Sequence, residues 1–391
     1  MESQHLPNTL PVTVPAASPP PTPNIPDGDV IVQAFGRTDV GREREHNEDS
    51  FLVANLTTGD ASPPDDVRSH VVGRHGTLFM VADGLGGAAA GEVASELAVR
   101  TIREELQTHW VEGSTTGPYS FAAALKSAAE TANGRIFAYA LDHPESRGLG
   151  TTATIAGLLG DTLYVAQVGD SRAYLVRDGE ARQITRDQSL MQRLVDAGEL
   201  TPAEAERSER RNIILQALGP EPSVKIDLTH QQLRRGDVLV LCTDGLSGLV
   251  RPEEIAEVIT GVARLDQACE ELIDRANAKG GPDNITVVAA RFEGDGLSVA
   301  GADDAVGHAV YRLPGSETPT DPHSVYVGRD PDRSSGAASM ASPSERRSGG
   351  TALLWTLALL AAILIAALLI ASRDMRGGAS SDHETPPVGT R

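Results

Sequence analysis

Aspartate stands beside glycine at the end of three apolar segments of this chain. The segment LFMVADGLGG contains Asp83, YVAQVGDSR contains Asp170 and VLVLCTDGLSG contains Asp244, while Asp283 precedes the apolar run in GGPDNITVV. β-Branched runs of this length predict strands, and a strand end holds a side chain rigidly while an adjoining glycine lets the backbone approach an ion closely. A single Asp-Gly pair is usually a plain turn. Four such aspartates in one domain are harder to explain that way.

Divalent-metal chemistry is the function that such a set would serve. Carboxylates that meet in a dry cleft repel one another unless a cation neutralises them. Oxygen ligands without a Cys/His pattern select hard ions, Mg²⁺ or Mn²⁺. Two such ions about 4 Å apart can share a carboxylate, turn water into hydroxide near neutral pH and stabilise an in-line displacement at phosphorus.

The segment GREREHNEDS, residues 41–50, supplies the group that a phosphate needs. Arg44 lies upstream of the acidic pair Glu48 and Asp49. A guanidinium is always charged, and its planar fork matches two phosphate oxygens. Carboxylates beside it could orient water around a metal ion. The alternative is an ordinary solvated charged loop.

Eight motifs that include these residues follow one another along roughly residues 33–292. They are VGREREHNEDS, VADGLGG, GTTAT, VGDSRAYL, RDQSLMQRLVDAGEL, RRNIILQALG, LCTDGL and GGPDNITVV. With these motifs in this order, the chain resembles the metal-dependent protein serine/threonine phosphatases of type 2C (the PPM family), in particular their bacterial membrane-anchored members.

The resemblance implies a metal site with two catalytic ions, Mn²⁺ or Mg²⁺. Asp83 would bridge the two ions, the carbonyl of Gly84 would bind one of them, and Asp244 and Asp283 would complete the site. Asp170, together with Asp244, matches the family's additional third-metal position.

The same resemblance implies three candidate catalytic residues. Arg44 would bind the substrate phosphate, and Glu48 and Asp49 would act largely through metal-bound water. Some relatives have histidine, a candidate general acid, where this chain has Leu85, so another group must protonate the leaving alkoxide. Many relatives also have histidine where Gln188 stands, in a segment that resembles the mobile flap beside the active site. The nearby His46 receives no role.

Clustered strands and clustered helices favour an α+β fold over an alternating parallel sheet. By resemblance this is a four-layer α-β-β-α sandwich with two central antiparallel sheets. Apolar runs predict strands at 30–35, 78–82, 152–159, 162–168, 173–177, 237–243 and 284–292. Helical periodicity appears at 90–110, 121–141, 189–198 and 265–278.

Composition divides the chain into further segments. Residues 1–29 are rich in proline and predict a disordered tail without a signal peptide. Residues 30–295 form the expected catalytic domain, and residues 296–350, rich in Gly, Ser, Asp and Pro, predict a flexible linker.

Residues 351–371 form an uncharged run of 21 residues. As a helix this run is about 31 Å long, close to the roughly 30 Å hydrocarbon core of a bilayer. It predicts a transmembrane helix, followed by a short polar tail at 372–391. Arginines on both sides of the run leave its orientation open. The expected location is the cell membrane, single-pass, with the catalytic domain in the cytoplasm, since no signal peptide or disulfide pattern is evident.

The expected activity is therefore hydrolysis of phosphoserine and phosphothreonine on proteins by a metal-activated water. A catalytically silent phosphoprotein-binding module of the same fold is the alternative, and a small-molecule phosphohydrolase would use the same chemistry. The net charge of −20 excludes nucleic acid as the main ligand. By resemblance, the partners are phosphorylated substrates of a membrane serine/threonine kinase. Cys242 is interpreted as a buried strand residue and not a reactive thiol.

Overall fold

A computed structural model describes residues 28–61, 67–86, 90–146, 148–301 and 304–314. The predicted N-terminal tail up to residue 27, the linker beyond residue 314, the transmembrane run 351–371 and the polar tail lie outside these residues. Among the residues that are described, no helix is long and apolar enough to cross a membrane.

Most strands of the domain coincide with the apolar runs of the sequence. Their bounds are β1 (Ile31–Asp39), β2 (Asp49–Asn55), β3 (Arg68–Val71), β4 (Thr77–Leu85), β5 (Gly150–Thr151), β6 (Ala153–Leu159), β7 (Thr162–Val168), β8 (Arg172–Arg177), β9 (Glu180–Gln183), β10 (Asp227–Gln232), β11 (Val238–Cys242) and β12 (Ile285–Glu293).

Those helices whose apolar periodicity extends over many residues begin and end close to their predicted positions. Their bounds are α1 (Ala90–Leu106), α2 (Pro118–Asp142), α3 (Leu190–Asp196), α4 (Pro202–Glu206), α5 (Asp244–Ser247), α6 (Pro252–Gly261) and α7 (Leu265–Ala278). A π-helical turn, Gln107–Val111, continues α1. Helix α2 starts earlier than the predicted 121–141, because Pro118 occupies its first turn after Gly117.

Two antiparallel sheets form the centre of the fold, which confirms the α+β expectation. One sheet has the order β3-β1-β12-β11-β8-β9 and the other has the order β10-β7-β6-β4-β2, with β5 paired to β4. Within strand β4, Phe79 belongs to the apolar cluster between the sheets, whereas Met80 belongs to the cluster under α1 and α2. This alternation follows from the two-residue period of a strand. Both faces are buried, so the strand reads as a continuous apolar run.

The second sheet is covered in the same way. Val287 of β12 packs with Leu272 of α7 and Ile259 of α6, while Val288 points to the other sheet. Helices therefore lie on both outer faces of the two sheets, in the four-layer order that the resemblance implies.

Residues 304–314, which we call the strap, differ from the flexible linker expected after residue 295. The amide of His230 donates to the carbonyl of Ala309 at 2.9 Å, and the amide of Tyr311 donates to the carbonyl of Leu228 at 2.8 Å. Asp304 accepts hydrogen bonds from the guanidinium of Arg234. The strap thus pairs with the open edge of β10, and the ordered domain extends beyond the predicted boundary at 295.

Candidate active site

Strand ends of both sheets converge to position the predicted acidic residues. Asp83 near the end of β4 lies opposite Asp49, the first residue of β2, in the register of one sheet. In the other sheet β11 and β12 are neighbours; Asp244 begins α5 directly after β11, and Asp283 precedes β12. Asp170 lies in the turn between β7 and β8.

These five carboxyl groups form one electrostatic cluster. The pKa of Asp83 is raised well above its usual value, first by burial and then by the charges of Asp49, Asp244, Asp170 and Asp283. Burial and the charge of Asp283 also raise the pKa of Asp244, which a hydrogen bond with the Asp83 side chain opposes. Distant aspartates in the sequence are therefore neighbours in the fold.

Asp49 is a buried acid with only one of its two oxygens satisfied. Its Oδ2 accepts hydrogen bonds from the hydroxyls of Thr243 at 2.9 Å and Thr286 at 2.7 Å. Its buried Oδ1 has no hydrogen-bond partner in the described part of the chain. Burial raises the pKa of Asp49 to about 7, although both threonines favour the ionised form. The structure thus brings a carboxyl that titrates near neutrality into the cluster.

Asp170 has the same unusual combination. Its side chain is buried, and its Oδ1 lacks a hydrogen-bond partner among the described residues. Burial, followed by the charges of Asp244 and Asp187, raises its pKa to about 8. An oxygen that is buried without a partner costs free energy, which a bound cation would recover.

Arg44 lies at the solvent-exposed side of the cluster. Its Nη2 donates to Oδ2 of Asp283 at 2.8 Å, and its side chain is 50% exposed. Burial is the main cause of the raised pKa of Glu48, and the charge of Arg44 opposes that rise. The amide of Glu48 donates to Oδ1 of Asn284 at 2.8 Å, which ties the 41–50 loop to the segment of Asp283.

Gly84 allows the backbone to close around the site. A Cβ atom at this position would lie 2.2 Å from the carbonyl oxygen of Gly91 and 2.5 Å from that of Glu48. The preceding carbonyl, that of Asp83, accepts from the amide of Thr152 at 2.9 Å. The cluster is therefore built where β4, the 41–50 loop and α1 approach within backbone contact distance.

The donor set fits hard divalent cations. It consists of carboxylate oxygens, two of them buried without partners, and like charges of this kind need a cation. Across the described ranges, no group of three or more His, Cys, Asp or Glu side chains is arranged to hold a metal ion as it stands. One contact already engages a member of the set, since Nη2 of Arg44 donates to Oδ2 of Asp283.

Other residues weighed in the sequence fall outside this set. Leu85 follows Gly84 at the end of β4 and has no proton to give. The carbonyl of His46 accepts from the side-chain amide of Asn284, a structural contact. Cys242 is buried, and burial raises its pKa to about 12, as expected for an inert thiol.

Three polar residues at the site lie inside the motifs LCTDGL and GGPDNITVV, but their residue types alone do not assign them a role. Thr243 and Thr286 donate to Asp49 from positions 194 and 237 residues away in the sequence. Asn284 binds the backbone of both Val40 and His46. Only the position of Asn284 beside Asp283 in the GGPDN segment hints at a role.

Comparison with known proteins gives a consistent result. A family model described as Protein phosphatase 2C matches residues 58–282. The Serine/threonine phosphatase stp of Listeria innocua is 36% identical over 255 residues, which are 64% of this chain and 92% of that protein. The Serine/threonine protein phosphatase PstP of Mycobacterium tuberculosis is 36% identical over 262 residues, 67% of this chain and 45% of that protein.

Solved structures show the same similarity. The crystal structure of the M. tuberculosis serine/threonine phosphatase PstP/Ppp superimposes with a TM-score of 0.56 at 36% identity, covering 67% of this chain and 99% of that one. A structure of the PstP catalytic domain in complex with two manganese ions gives a TM-score of 0.54 at 35% identity, with 68% and 99% covered.

Proposed function

The chain belongs to the protein phosphatase 2C family of metal-dependent serine/threonine phosphatases, and from this premise we propose that its acidic cluster hydrolyses phosphoserine and phosphothreonine on proteins with a pair of Mn²⁺ or Mg²⁺ ions. The observation that carries the proposal is the cluster itself. Asp83 interacts electrostatically with four other buried or half-buried carboxyls, and two oxygens of the set are buried without partners in the described chain.

The ions would be held by the residues that the family resemblance assigns. Asp83, Asp244, Asp283 and the Gly84 carbonyl would hold the pair of ions, and Asp170 together with Asp244 would hold a third. When bound, such ions lower the pKa of water and neutralise the charge of a phosphoryl group.

Arg44 recognises the phosphate. It is half exposed and uses one nitrogen on Asp283, so its remaining N–H groups are available to phosphate oxygens. A guanidinium binds two oxygens of a phosphate at once, which fixes the orientation of the phosphorus relative to the carboxylates.

Glu48 and Asp49 place water and protons. The half-buried Glu48 carboxylate can accept hydrogen bonds from water, and the pKa of Asp49, raised by burial to about 7, allows it to gain or lose a proton near neutral pH. In the overall reaction a water oxygen bonds to phosphorus, the bond from phosphorus to the serine or threonine oxygen breaks, and that oxygen takes up a proton. Leu85 cannot supply this proton, so it comes from water or from a protonated carboxyl of the cluster.

An activity assay with the full-length chain in mild detergent tests the proposal. Hydrolysis of a phosphothreonine peptide should require Mn²⁺ or Mg²⁺ and stop with a chelator. Asp83→Asn and Asp244→Asn should each lower kcat/KM by at least about a hundredfold, since even residues behind metal ligands are worth 10 to 100-fold. The control is Asp274→Asn, an exposed aspartate of α7, which should retain full activity. Turnover that persists in both cluster variants would refute the assignment.

We further propose that residues 351–371 anchor the enzyme in the cell membrane with its catalytic domain in the cytoplasm. The support is the uncharged 21-residue run. Tethering would raise the effective concentration of the enzyme toward membrane-bound phosphoproteins, such as substrates of a membrane serine/threonine kinase. Deletion of 351–391 should move the phosphatase activity from the membrane to the soluble fraction of a cell lysate. An unchanged distribution would contradict the anchor.

A further inference from the structure

An open groove of about 810 Å³ lies between strand β2 and helix α1. Asp49, Phe51 and Leu52 line its β2 wall. Arg100 and Arg103 line its α1 wall. Asp49 also belongs to the acidic cluster, so the groove begins beside the candidate active site. The two arginines have no part in the proposed hydrolysis, and the groove therefore offers a binding surface outside the catalytic machinery.

The backbone of β2 is open toward this groove, because β2 is the edge strand of its sheet and has β4 as its neighbour. The amide of Gly84 donates to the carbonyl of Glu48, the residue before β2, at 3.2 Å. Bonded pairs alternate with non-bonded pairs in an antiparallel ladder, so Ser50 and Leu52 bond to β4 while the amide and carbonyl of Phe51 point away from it. Among the described residues these two groups have no hydrogen-bond partner, and an unpaired edge of this kind is a template for an added strand.

The far end of the β2 edge is already covered. Ala54 forms a bridge with Ala61 in the turn that follows the strand. In the same turn the amide of Asn55 donates to the carbonyl of Asp60 at 2.8 Å. The free stretch of the edge therefore lies next to the acidic cluster, between Asp49 and the bridge. It is roughly 14 Å long and takes about four residues of an extended chain.

Arg100 and Arg103 place positive charge at this covered end. Nη2 of Arg103 donates to the carbonyl of Gly59, in the turn after β2, at 3.3 Å. Arg100 is exposed and lies nearly one turn earlier on the same face of α1. Neither guanidinium forms an ion pair with a carboxylate in the described part of the chain. In a chain of net charge −20, these two arginines form a local site for an anionic group.

Two glutamates also line the groove but do not cancel this charge. Glu104 pairs with Arg135 at 2.8 Å. Glu96 lies one turn closer to the acidic cluster, because α1 begins there: a Cβ atom on Gly84 would lie 2.2 Å from the carbonyl oxygen of Gly91. The groove thus changes from acidic at the candidate active site to basic at its far end.

We propose that this groove binds the substrate polypeptide, with an extended segment paired to the edge of β2 at Phe51 and acidic side chains held by Arg100 and Arg103. The inference rests on the proposed function, because it needs a phosphoresidue in the acidic cluster. Helix α1 rises about 1.5 Å per residue, so the two arginines lie roughly 15–20 Å from its start at Ala90, a span that an extended chain covers in about five or six residues. The favoured substrates therefore carry acidic residues at that distance from the phosphoserine or phosphothreonine. Main-chain pairing gives such a segment affinity, and the ion pairs give it specificity.

The test compares phosphothreonine peptides as substrates of the full-length chain in mild detergent with Mn²⁺. One peptide has neutral flanks, and two others carry a pair of glutamates at the proposed distance before or after the phosphothreonine. One of the two acidic peptides should have a KM about three- to tenfold below that of the neutral peptide at equal kcat, the scale of one or two exposed ion pairs. The Arg100→Gln/Arg103→Gln double variant should treat all three peptides alike. The matched control is Arg182→Gln, at an exposed arginine of β9 that pairs with Glu180, and it should keep the preference.

A reversal of charge gives a second measurement. The Arg100→Glu/Arg103→Glu variant should instead prefer a peptide with lysines in place of the glutamates. Para-nitrophenyl phosphate has no flanking residues, so its hydrolysis should be the same in the wild type and in every variant. A wild type that does not hydrolyse this ester would refute the proposed function. An active wild type without preference among the peptides, or a preference that survives in the double variant to glutamine, would refute the role of the groove alone.

Pairing with the backbone of β2 is tested with the preferred acidic peptide. A strand bonds to its neighbour through every second residue, so two versions N-methylated at alternate positions between the phosphothreonine and the glutamates should differ, and only one should lose the lower KM. Equal KM values for both versions would refute the pairing. Analytical ultracentrifugation shows whether a second copy of the chain occupies the groove instead, and dimers that the double variant to glutamine dissociates would overturn the proposal.

Discussion

Arg44 and Asp283, 239 positions apart in the sequence, form a hydrogen-bonded ion pair of 2.8 Å across the mouth of the candidate site. One partner is the proposed phosphate-binding group and the other a proposed metal ligand. This contact uses one nitrogen of Arg44 and one oxygen of Asp283, so the guanidinium and a bound ion would compete for the Asp283 carboxylate.

Replacement of Arg44 should separate these two roles. Arg44→Ala should lower kcat/KM for a phosphopeptide about 10 to 100-fold, because a hydrogen bond to a charged group contributes ~1.5–3 kcal/mol. The same variant should bind Mn²⁺ at least as tightly as the wild type, because Asp283 is released. Steady-state kinetics and calorimetry measure the two effects.

Two further variants serve as controls for Arg44. Arg44→Lys keeps the charge but not the planar fork, so it should recover only part of the lost kcat/KM. Arg37→Ala removes another exposed arginine, which pairs with Glu270 away from the site, and should change neither quantity. Weaker Mn²⁺ binding by Arg44→Ala would contradict the competition between the two roles.

The stability of the metal-free chain should fall as pH rises through neutrality. The folded-state pKa values of Asp49 and Asp170, about 7 and about 8, lie above the ordinary value of an aspartate. The folded state therefore holds protons that the unfolded state has released. The stabilisation that these two bound protons provide is complete below the unfolded-state pKa, near 4, and is lost as pH rises toward 8. The melting temperature in chelator should drop by roughly 5 to 10 °C between pH 5 and pH 8.5.

Saturating Mn²⁺ should remove most of this pH dependence, because bound ions replace the protons. Asp49→Asn supplies the second control, since an amide oxygen can still accept from Thr243 and Thr286 but cannot titrate. Its melting temperature in chelator should vary less with pH. A metal-free melting temperature that rises between pH 5 and 8.5 would overturn this view of the cluster.

The sequence pattern predicts those strands whose two faces are both buried. Strand β4 reads LFMVA because Phe79 and Met80 pack into different layers, and its apolar run is visible without the structure. Strand β10, DLTHQQ, is polar, and the runs of the sequence do not reveal it. Its edge pairs with the strap, through residues such as Val310 that lie far from it in the sequence.

The residues of the candidate site likewise divide into those that the sequence pattern reveals and those that only the fold brings together. The strand-end aspartates are visible because each follows or precedes an apolar run. The hydroxyls of Thr243 and Thr286 on Asp49 are not visible, because they reach it through the pairing of β11 with β12 and the packing of two sheets. Local pattern thus indicates which residues can do chemistry, while long-range register decides which groups surround them.

Substitution of Gly84 should disable the site through sterics alone. A methyl group would lie 2.2 Å and 2.5 Å from two backbone oxygens, so β4, α1 or the 41–50 loop must shift. Gly84→Ala should therefore lose both Mn²⁺ binding and at least about 2 kcal/mol of stability, the scale of overpacking. The control, Gly134→Ala, lies on the exposed side of α2 with open space around its Cα. Gly134→Ala should be stabilised by about 0.5–1 kcal/mol. Wild-type Mn²⁺ binding and stability in Gly84→Ala would show that the site does not need the close approach of Gly84 to Gly91 and Glu48.

The strap should contribute to the stability of the domain in addition to connecting it to the residues after 314. Tyr311 is 5% exposed and packs edge-on against Tyr164 at a centroid distance of 5.1 Å. Tyr311→Ala should lower the free energy of unfolding by ~3 kcal/mol, as for other buried aromatic residues.

A chain that ends at 295 should melt at a lower temperature than one that ends at 314, because the edge of β10 and the apolar surface under Tyr311 become exposed. Val299→Ala, at a residue before the strap that is 73% exposed, should leave the melting temperature unchanged. Equal melting temperatures for the two truncated chains would mean that the contacts of the strap add nothing to folding, and that the catalytic domain ends where the composition first suggests.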